Sequence, residues 1–124
     1  PVQMLQFDLA GRPVRMAYMD VKPQNPNGQT LLLMHGNNFG SDYWANTLKA
    51  MSTYGYRVIA PDQIGFGKSS KPEMRYSFAM LAENTTRLLE HLKIGRVTVI
   101  GNSMGGMLAV HFARKYPERV AALV

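Results

Sequence analysis

The sequence predicts an α/β fold, in which a mostly parallel sheet carries helices on both of its faces. Short apolar runs, typical of strands that are covered on both sides, alternate along the chain with segments whose apolar residues recur at helical spacing. The loops between them are short, as the crossovers of a parallel sheet allow. An opening hairpin is expected to add antiparallel strands at one edge of this sheet.

The predicted elements follow one another in chain order. Strands are expected at residues 4–8, 14–20, 30–34, 56–60, 97–101 and 120–124, and helices at 41–51, at 77–92 and from the end of the fifth strand to about Tyr116. Helix 77–92 has the clearest pattern, because its apolar residues form one stripe. The spacing places Glu83, Asn84, Arg87 and Glu90 away from that stripe.

Composition is typical of one globular domain. A chain of 124 residues is long enough for one core but too short for two domains. Its 46% of hydrophobic and 18% of charged residues are typical of a globular rather than a disordered chain. No apolar run approaches the roughly 20 residues of a membrane span, so we expect a soluble chain. Its compartment stays open between the cytoplasm and a periplasmic or secreted location. The absence of cysteine excludes disulfides and thiolate ligands. The net charge of +6 comes from scattered basic residues, which favours an ordinary solvated surface over a nucleic-acid or membrane partner.

A Gly-x-Ser-x-Gly pattern lies where the fifth strand passes into the next helix. Such a tight turn holds Ser103 in a strained backbone conformation and lifts its hydroxyl clear of the chain, while Gly101 and Gly105 avoid a clash on either side. The N–H of Met104, at the start of the helix, then faces the space where an oxyanion forms. Ser103 is therefore the candidate nucleophile. The alternative is a loop serine without a role.

Other patterns fail on their spacing, so no cofactor and no metal is expected. A phosphate loop ending at Lys68-Ser69 needs a further glycine where Asp62 stands, and Gly101-x-Ser103 lacks the second glycine of a dinucleotide loop. The dinucleotide-dependent oxidoreductase interpretation therefore fails. His91 and His111 have no second ligand at helical spacing, which argues against a metal site.

Three segments, in order, resemble the N-terminal half of an α/β-hydrolase fold enzyme. They are His35-Gly36 with Gly40 and Trp44, Pro61-Asp62-x-x-Gly65-x-Gly67-x-Ser69, and Gly101-Asn102-Ser103-Met104-Gly105-Gly106. The resemblance covers nearly the whole chain. It implies that Ser103 is the nucleophile and that the backbone N–H groups of Asn37 and Met104 form the oxyanion hole. It also implies substrate contacts from Asn38, Phe39 and Asn102, and structural roles for His35, Gly36, Asp62, Gly65, Gly67, Gly101, Gly105 and Gly106.

Alternatives remain open for several of these residues. Asn37 and Asn38 are also ordinary turn formers, and Asp62 is either a catalytic acid or, as we expect, a brace for the turn that follows it. The turn at residues 101–105, called the elbow below, carries a serine, which argues against the related haloalkane dehalogenases and epoxide hydrolases, since these use an aspartate there.

The family pattern also implies parts that this sequence does not supply. In the family an acid and a histidine follow the nucleophile on later strands. Here Glu118 is the only acid after the helix that begins at Ser103, and His35, His91 and His111 all lie at other places. The family's lid is also missing. We therefore expect residues 1–124 to be the N-terminal portion of one core domain, truncated at about the sixth strand.

Two functional hypotheses follow. The first is the scaffold of a serine hydrolase, which cleaves an ester, lactone, amide or C–C bond of a small acyl substrate once a C-terminal segment completes it, and which is inactive alone. The second is a non-catalytic fragment, or a binding or folding module that keeps the scaffold. In either case the strand edge between Val120 and Val124 is apolar, which favours self-association or pairing with a complementary segment.

Overall fold

The computed structural model describes residues 2–36 and 45–124, and their elements follow the predicted order. The strands are β1 (Val2–Leu9), β2 (Arg12–Val21), β3 (Thr30–Met34), β4 (Arg57–Pro61), β5 (Val97–Gly101) and β6 (Val120–Leu123). The helices are α1 (Ala45–Thr53), α2 (Phe78–His91) and α3 (Met104–Lys115), and a 3-10 helix (Pro117–Arg119) precedes β6. The predicted start of the first helix, 41–44, lies outside the described residues.

The strands form a single sheet in the order β1-β2-β4-β3-β5-β6. β1 pairs antiparallel with β2, and β2 pairs antiparallel with β4. The pairs β4 with β3, β3 with β5 and β5 with β6 are parallel. The sheet is thus mostly parallel with an antiparallel hairpin at one edge, and the predicted fold class is confirmed.

The two faces of β3 serve two separate apolar cores, because successive side chains of a strand point to opposite faces. Leu32 and Met34 belong to the larger core, which α2 and α3 cover with residues such as Leu88 and Phe112. On the opposite face lies a smaller core, which α1 covers with Leu48 and which also contains Leu31, Leu33, Val58 and Ala60. Helices therefore cover both faces of the sheet, as the continuous apolar runs predicted.

Helix α2 begins at a defined cap and departs from its predicted pattern at one residue. The Ser77 hydroxyl accepts a hydrogen bond from the Met80 N–H at 3.1 Å, which satisfies one of the free donors of the first turn. The placement of Asn84 outside the buried stripe was wrong, since the residue is 1% exposed and its side-chain nitrogen contacts the Met80 sulfur at 3.0 Å. The stripe is wider than the apolar residues indicated because Asn84, Thr85 and Thr86 are all buried.

The parallel arrangement determines where a site can form. β3, β4 and β5 lie side by side and point the same way, so their carboxyl ends meet at one edge of the sheet. His35 follows β3, Asp62 follows β4 and Ser103 follows β5. In open α/β sheets, ligands bind in the crevice at this edge. None of the helices in the two described ranges has the length and apolar character of a membrane span.

Candidate active site

Ser103 occupies a strained backbone position between β5 and α3. Its φ of 58° and ψ of −118° lie in a region that side-chain-bearing residues rarely adopt, and the residue is exposed. Next to it, the Asn102 N–H donates to the Met34 carbonyl at 3.2 Å, which ties the turn to the end of β3. This contact with the end of β3 holds the turn in place and leaves Ser103 exposed at the edge of the sheet.

Gly101 and Gly105 are required by close backbone approach. A Cβ on Gly105 would overlap the carbonyl oxygens of Met34 and His35, and a Cβ on Gly101 would overlap the backbone of Gly105. α3 therefore rests directly on the ends of β3 and β5, and any larger side chain would force it away. Gly106 differs from both, because its Cβ would meet no atom closer than the Gly101 carbonyl oxygen at 3.8 Å.

One of the two predicted oxyanion donors lies in the described part of the chain. Met104 is the first residue of α3, where backbone N–H groups have no partner within the helix. The donors that follow it are engaged, since the N–H groups of Gly105 and Gly106 donate to the carbonyls of Asn102 and Ser103. The positive end of the α3 dipole adds to the attraction for an anion at Met104.

The second predicted donor and two of the predicted substrate contacts cannot be placed. Asn37, Asn38 and Phe39 lie outside the described residues, as do Gly40 and Trp44 of the same motif. Their roles stay predictions. Gly36, which precedes them, is buried, while Asn102 is exposed beside Ser103.

His35 is a buried, neutral ring with both nitrogens engaged. Its Nε2 accepts a hydrogen bond from the Gln63 N–H at 3.0 Å, so the proton resides on Nδ1, which donates to the Gly36 carbonyl at 2.9 Å. Burial lowers the pKa of His35, although the Gly36 carbonyl and the charge of Asp62 act in the opposite direction. A ring held in this way links the ends of β3 and β4, and it is not available to take a proton from Ser103.

Asp62 is engaged within the turn that it begins. Its carboxylate accepts the Lys68 N–H at 2.9 Å, and a Cβ on Gly67, whose φ is +54°, would meet that carboxylate at 2.5 Å. The Ser69 hydroxyl donates to the Asp62 carbonyl and accepts the Ala17 N–H at 2.8 Å. These contacts favour the bracing role over the catalytic one. That Ser69 joins this turn to β2 was not predicted from the sequence.

A cavity of about 340 Å³ opens beside the elbow. The residues around it come from the loop after β4, from the start of α2 and from α3, namely Gly65, Phe66, Tyr76, Ser77, Phe78, Leu81 and Met104. Sequence reasoning missed it as a site, because it assigned Phe78 and Leu81 to the core stripe and gave Phe66 and Tyr76 no role. The signal available in the sequence was that Phe66 lies in the loop after β4 and that Tyr76 lies just before α2, both near the carboxyl ends of parallel strands.

The two remaining histidines lie away from Ser103. His111 is seven residues beyond Met104 on α3, a rise of roughly 10 Å along the axis, and its ring contacts Phe78 at a centroid distance of 6.3 Å. His91 is the last residue of α2. Within ranges 2–36 and 45–124, no three histidine or acidic side chains come together as metal ligands would.

Comparisons with known proteins agree with the fold described above. A family model described as alpha/beta hydrolase fold matches residues 29–124. A crystal structure of a probable hydrolytic enzyme from Pseudomonas aeruginosa superposes with a TM-score of 0.97 at 53% identity, over 99% of this chain and 40% of that one. A thermophilic esterase from Thermogutta terrifontis superposes with a TM-score of 0.87 at 30% identity, over 98% of this chain and 44% of its own.

Curated relatives are similarly longer than this chain. A 2-hydroxy-6-oxononadienedioate/2-hydroxy-6-oxononatrienedioate hydrolase from Burkholderia vietnamiensis is 42% identical over 118 residues, which are 92% of this chain and 40% of that protein. An uncharacterized protein of Mycobacterium tuberculosis is 41% identical over 98 residues, or 28% of its length. The chain thus spans between 28% and 44% of the length of these four similar proteins.

Proposed function

We propose that this chain, which belongs to the α/β-hydrolase fold family, supplies the nucleophile Ser103 and an oxyanion-hole donor, Met104, to a serine hydrolase. The observation that carries the proposal is the conformation of Ser103, an exposed serine whose φ is 58° at the junction of a buried strand and a helix. Strain of this kind persists only where the surrounding structure holds it, and it is concentrated at functional sites. Gly101 and Gly105 supply the close packing that holds it here.

The proposed reaction is acyl transfer through a covalent intermediate. The Ser103 hydroxyl attacks a substrate carbonyl carbon and loses its proton to a base, and the resulting oxyanion accepts hydrogen bonds from the N–H groups of Met104 and Asn37. The tetrahedral intermediate expels the leaving group, which takes a proton. Water then attacks the acyl-enzyme by the same route and releases the acid.

The base and its orienting acid are proposed to come from sequence that the longer relatives carry beyond the matched part. Among the described residues, His35 is engaged at both nitrogens and His111 is about two turns along α3 from the elbow. A serine hydrolase that lacks a triad member typically loses on the order of 10⁴ to 10⁶ in turnover. We therefore expect residues 1–124 alone to have negligible activity.

A small carbonyl compound is the proposed substrate class. One similar protein is named as an esterase and another as a hydrolase of 2-hydroxy-6-oxononadienedioate and 2-hydroxy-6-oxononatrienedioate. Hydrolysis of an ester or of a C–C bond next to a carbonyl is part of the proposal, because each offers a carbonyl carbon to a serine nucleophile. Lactones and amides present the same electrophilic carbon to Ser103 and remain within the proposal. No cofactor is part of the proposed mechanism.

Fluorophosphonate labelling of the full polypeptide that carries these residues tests the nucleophile. We expect one adduct, located on Ser103 by peptide mass spectrometry, and its loss in Ser103→Ala. The control is Ser52→Ala, which removes a hydroxyl that bonds to the Lys49 carbonyl at 2.9 Å on α1, on the other face of the sheet. Undiminished labelling of Ser103→Ala would refute the assignment.

The alternative is a non-catalytic module that keeps the scaffold, and one observation favours it. Within the described residues no histidine is placed to activate Ser103. Native mass spectrometry of the natural protein distinguishes the two cases. A longer chain or a companion that brings an acid and a histidine supports the hydrolase, whereas a lone 13.9 kDa species without labelling supports the module.

A further inference from the structure

The described part of the lining of the cavity beside the elbow consists mainly of aromatic rings and aliphatic side chains. Phe66, Tyr76 and Phe78 supply the rings, and Leu81 and Met104 add aliphatic surface. Specific sites usually combine such surface with a few polar groups that point inward. Among the lining residues that the structure describes, the N–H groups of Gly65 and Phe66 and the hydroxyls of Tyr76 and Ser77 each make a hydrogen bond within the chain.

The hydrogen bonds of the lining run within the chain. The Gly65 N–H donates to the Ser70 carbonyl at 2.8 Å and the Phe66 N–H to the Gln63 carbonyl at 2.9 Å. The Tyr76 hydroxyl donates to the Pro72 carbonyl at 2.5 Å. The Ser77 hydroxyl accepts from the Met80 N–H, as described above. A polar substituent placed in this cavity would therefore leave water and find few replacements for its hydrogen bonds.

Two of the rings are held in place from behind. The Tyr76 ring lies against the backbone of Gly65, where a Cβ would meet the ring at 2.9 Å and where φ is +98°. The Phe66 ring contacts the buried His35 ring at a centroid distance of 5.4 Å and an angle of 58°. The cavity wall is thus fixed before a ligand arrives, which favours a rigid, planar group that stacks or meets the rings edge-on.

We infer that this cavity binds an aromatic ring on the acyl side of the substrate, so that the preferred substrates are aryl-bearing acyl compounds such as phenylacetyl esters. Met104 gives the position, because its side chain lines the cavity while its N–H is the proposed oxyanion donor. A carbonyl seated at that N–H has its substituent within reach of the rings. The volume of about 340 Å³ is at the low end of the 300–1,000 Å³ of ligand sites, which suits one ring rather than a long alkyl chain.

The inference rests on the proposed function, and kinetics with a constant leaving group test it in the full polypeptide. We expect kcat/KM for 4-nitrophenyl phenylacetate to exceed that for the acetate and the octanoate by about tenfold or more, since a fitted apolar group gives discrimination of this order. Tyr76→Ala should lower the ratio of kcat/KM for the phenylacetate to kcat/KM for the acetate by about tenfold, mainly by raising KM for the phenylacetate. Tyr76→Phe keeps the ring and should keep the preference.

A matched control and a binding measurement separate the possible failures. Tyr54→Ala removes an exposed ring just after α1, distant in the chain from the cavity. It should leave kcat/KM unchanged for both the phenylacetate and the acetate. With methyl-¹³C methionine, phenylacetate should shift the Met104 resonance, identified by Met104→Leu, whereas acetate should not.

The outcomes separate the two proposals. Hydrolysis or labelling that survives Ser103→Ala overturns the proposed function, and a Met104 shift by phenylacetate would still support the cavity's preference. Ser103-dependent hydrolysis with no phenylacetyl preference, or with one that Tyr76→Ala leaves intact, overturns the inference alone. An unshifted Met104 resonance also overturns it, whatever the protein hydrolyses.

Discussion

Replacing Gly105 by alanine should destabilise the protein strongly, whereas the same change at Gly106 should not. The two residues are neighbours in the first turn of α3, so both gain the same helix propensity, roughly 0.5–1 kcal/mol, when glycine becomes alanine. They differ in the space that is available for a Cβ atom. At Gly105 the new methyl would overlap two carbonyl oxygens of the β3 end, and at Gly106 its nearest neighbour lies at 3.8 Å.

The magnitude follows from what would have to move. The carbonyls of Met34 and His35 are backbone atoms at the end of the central strand, so they cannot rotate away as a flexible side chain does. Overpacking of a close-packed interior costs about 1–3 kcal/mol, and contact with backbone places this case at the upper end. After the gain in propensity, Gly105→Ala should lose about 2 kcal/mol or more, and Gly106→Ala should gain up to about 1 kcal/mol. The two variants should therefore differ by about 3 kcal/mol.

Urea denaturation of the full polypeptide, followed by circular dichroism, measures this difference directly. The fluorophosphonate labelling rate adds a second reading, because displacement of α3 should also disturb Ser103. Equal stability of the two variants would refute the claim that α3 rests on β3 through Gly105. A Gly106→Ala variant that is as unstable as Gly105→Ala would refute it equally.

Two further predictions concern charge. The folded pKa of His35 is lowered by burial, so its contribution to stability is complete above the unfolded value of about 6.5 and is lost as the pH falls towards the folded pKa. Ring ¹⁵N NMR should therefore find His35 still mostly neutral, with the proton on Nδ1, at pH 6.5, and an imidazolium there would contradict the assignment. Arg57→Met should cost about 2 kcal/mol in urea denaturation, because it leaves the Asp20 carboxylate, 5% exposed, without its two hydrogen bonds of 3.0 and 2.7 Å. Glu83→Gln, which breaks an exposed 3.6 Å pair, is the control and should change stability by about 0.5 kcal/mol or less, and equal effects of the two would contradict the reasoning.

The fold class could be predicted because its signals are local. A strand that is covered on both faces is apolar along most of its length, and residues 30–34 and 97–101 carry that pattern in the sequence itself. The strand order could not be read in the same way. β2 lies beside β4 rather than beside β3, which follows it in the chain, and that pairing depends on contacts between distant residues.

The elbow could be predicted because its steric requirements are local in the chain. The cavity could not be predicted because its wall is formed by residues that are distant in the chain. The steric demand at Gly101 and Gly105 arises within a few residues of Ser103, so it leaves a short pattern in the sequence. The wall of the cavity depends on Tyr76 reaching back to Gly65 and on His35 meeting Phe66, contacts that no local spacing encodes. The burial of Asn84 was missed because a polar residue on a buried face contradicts its own preference.

The strain at Ser103 and the stability of the sheet edge depend on the same contacts. A positive φ at a residue with a side chain costs on the order of 1–3 kcal/mol, which the surrounding structure must offset. The offset comes from α3 seated on β3, from the Asn102 N–H bonded to Met34, and from the His35 ring that joins β3 to the loop after β4. A substitution that loosens any of these contacts lets Ser103 relax towards an ordinary turn. Stability and labelling rate should therefore fall together at Gly105. Arg57 begins β4 and so lies at the opposite end of the parallel strands from the elbow, where stability should fall without a matching loss of labelling.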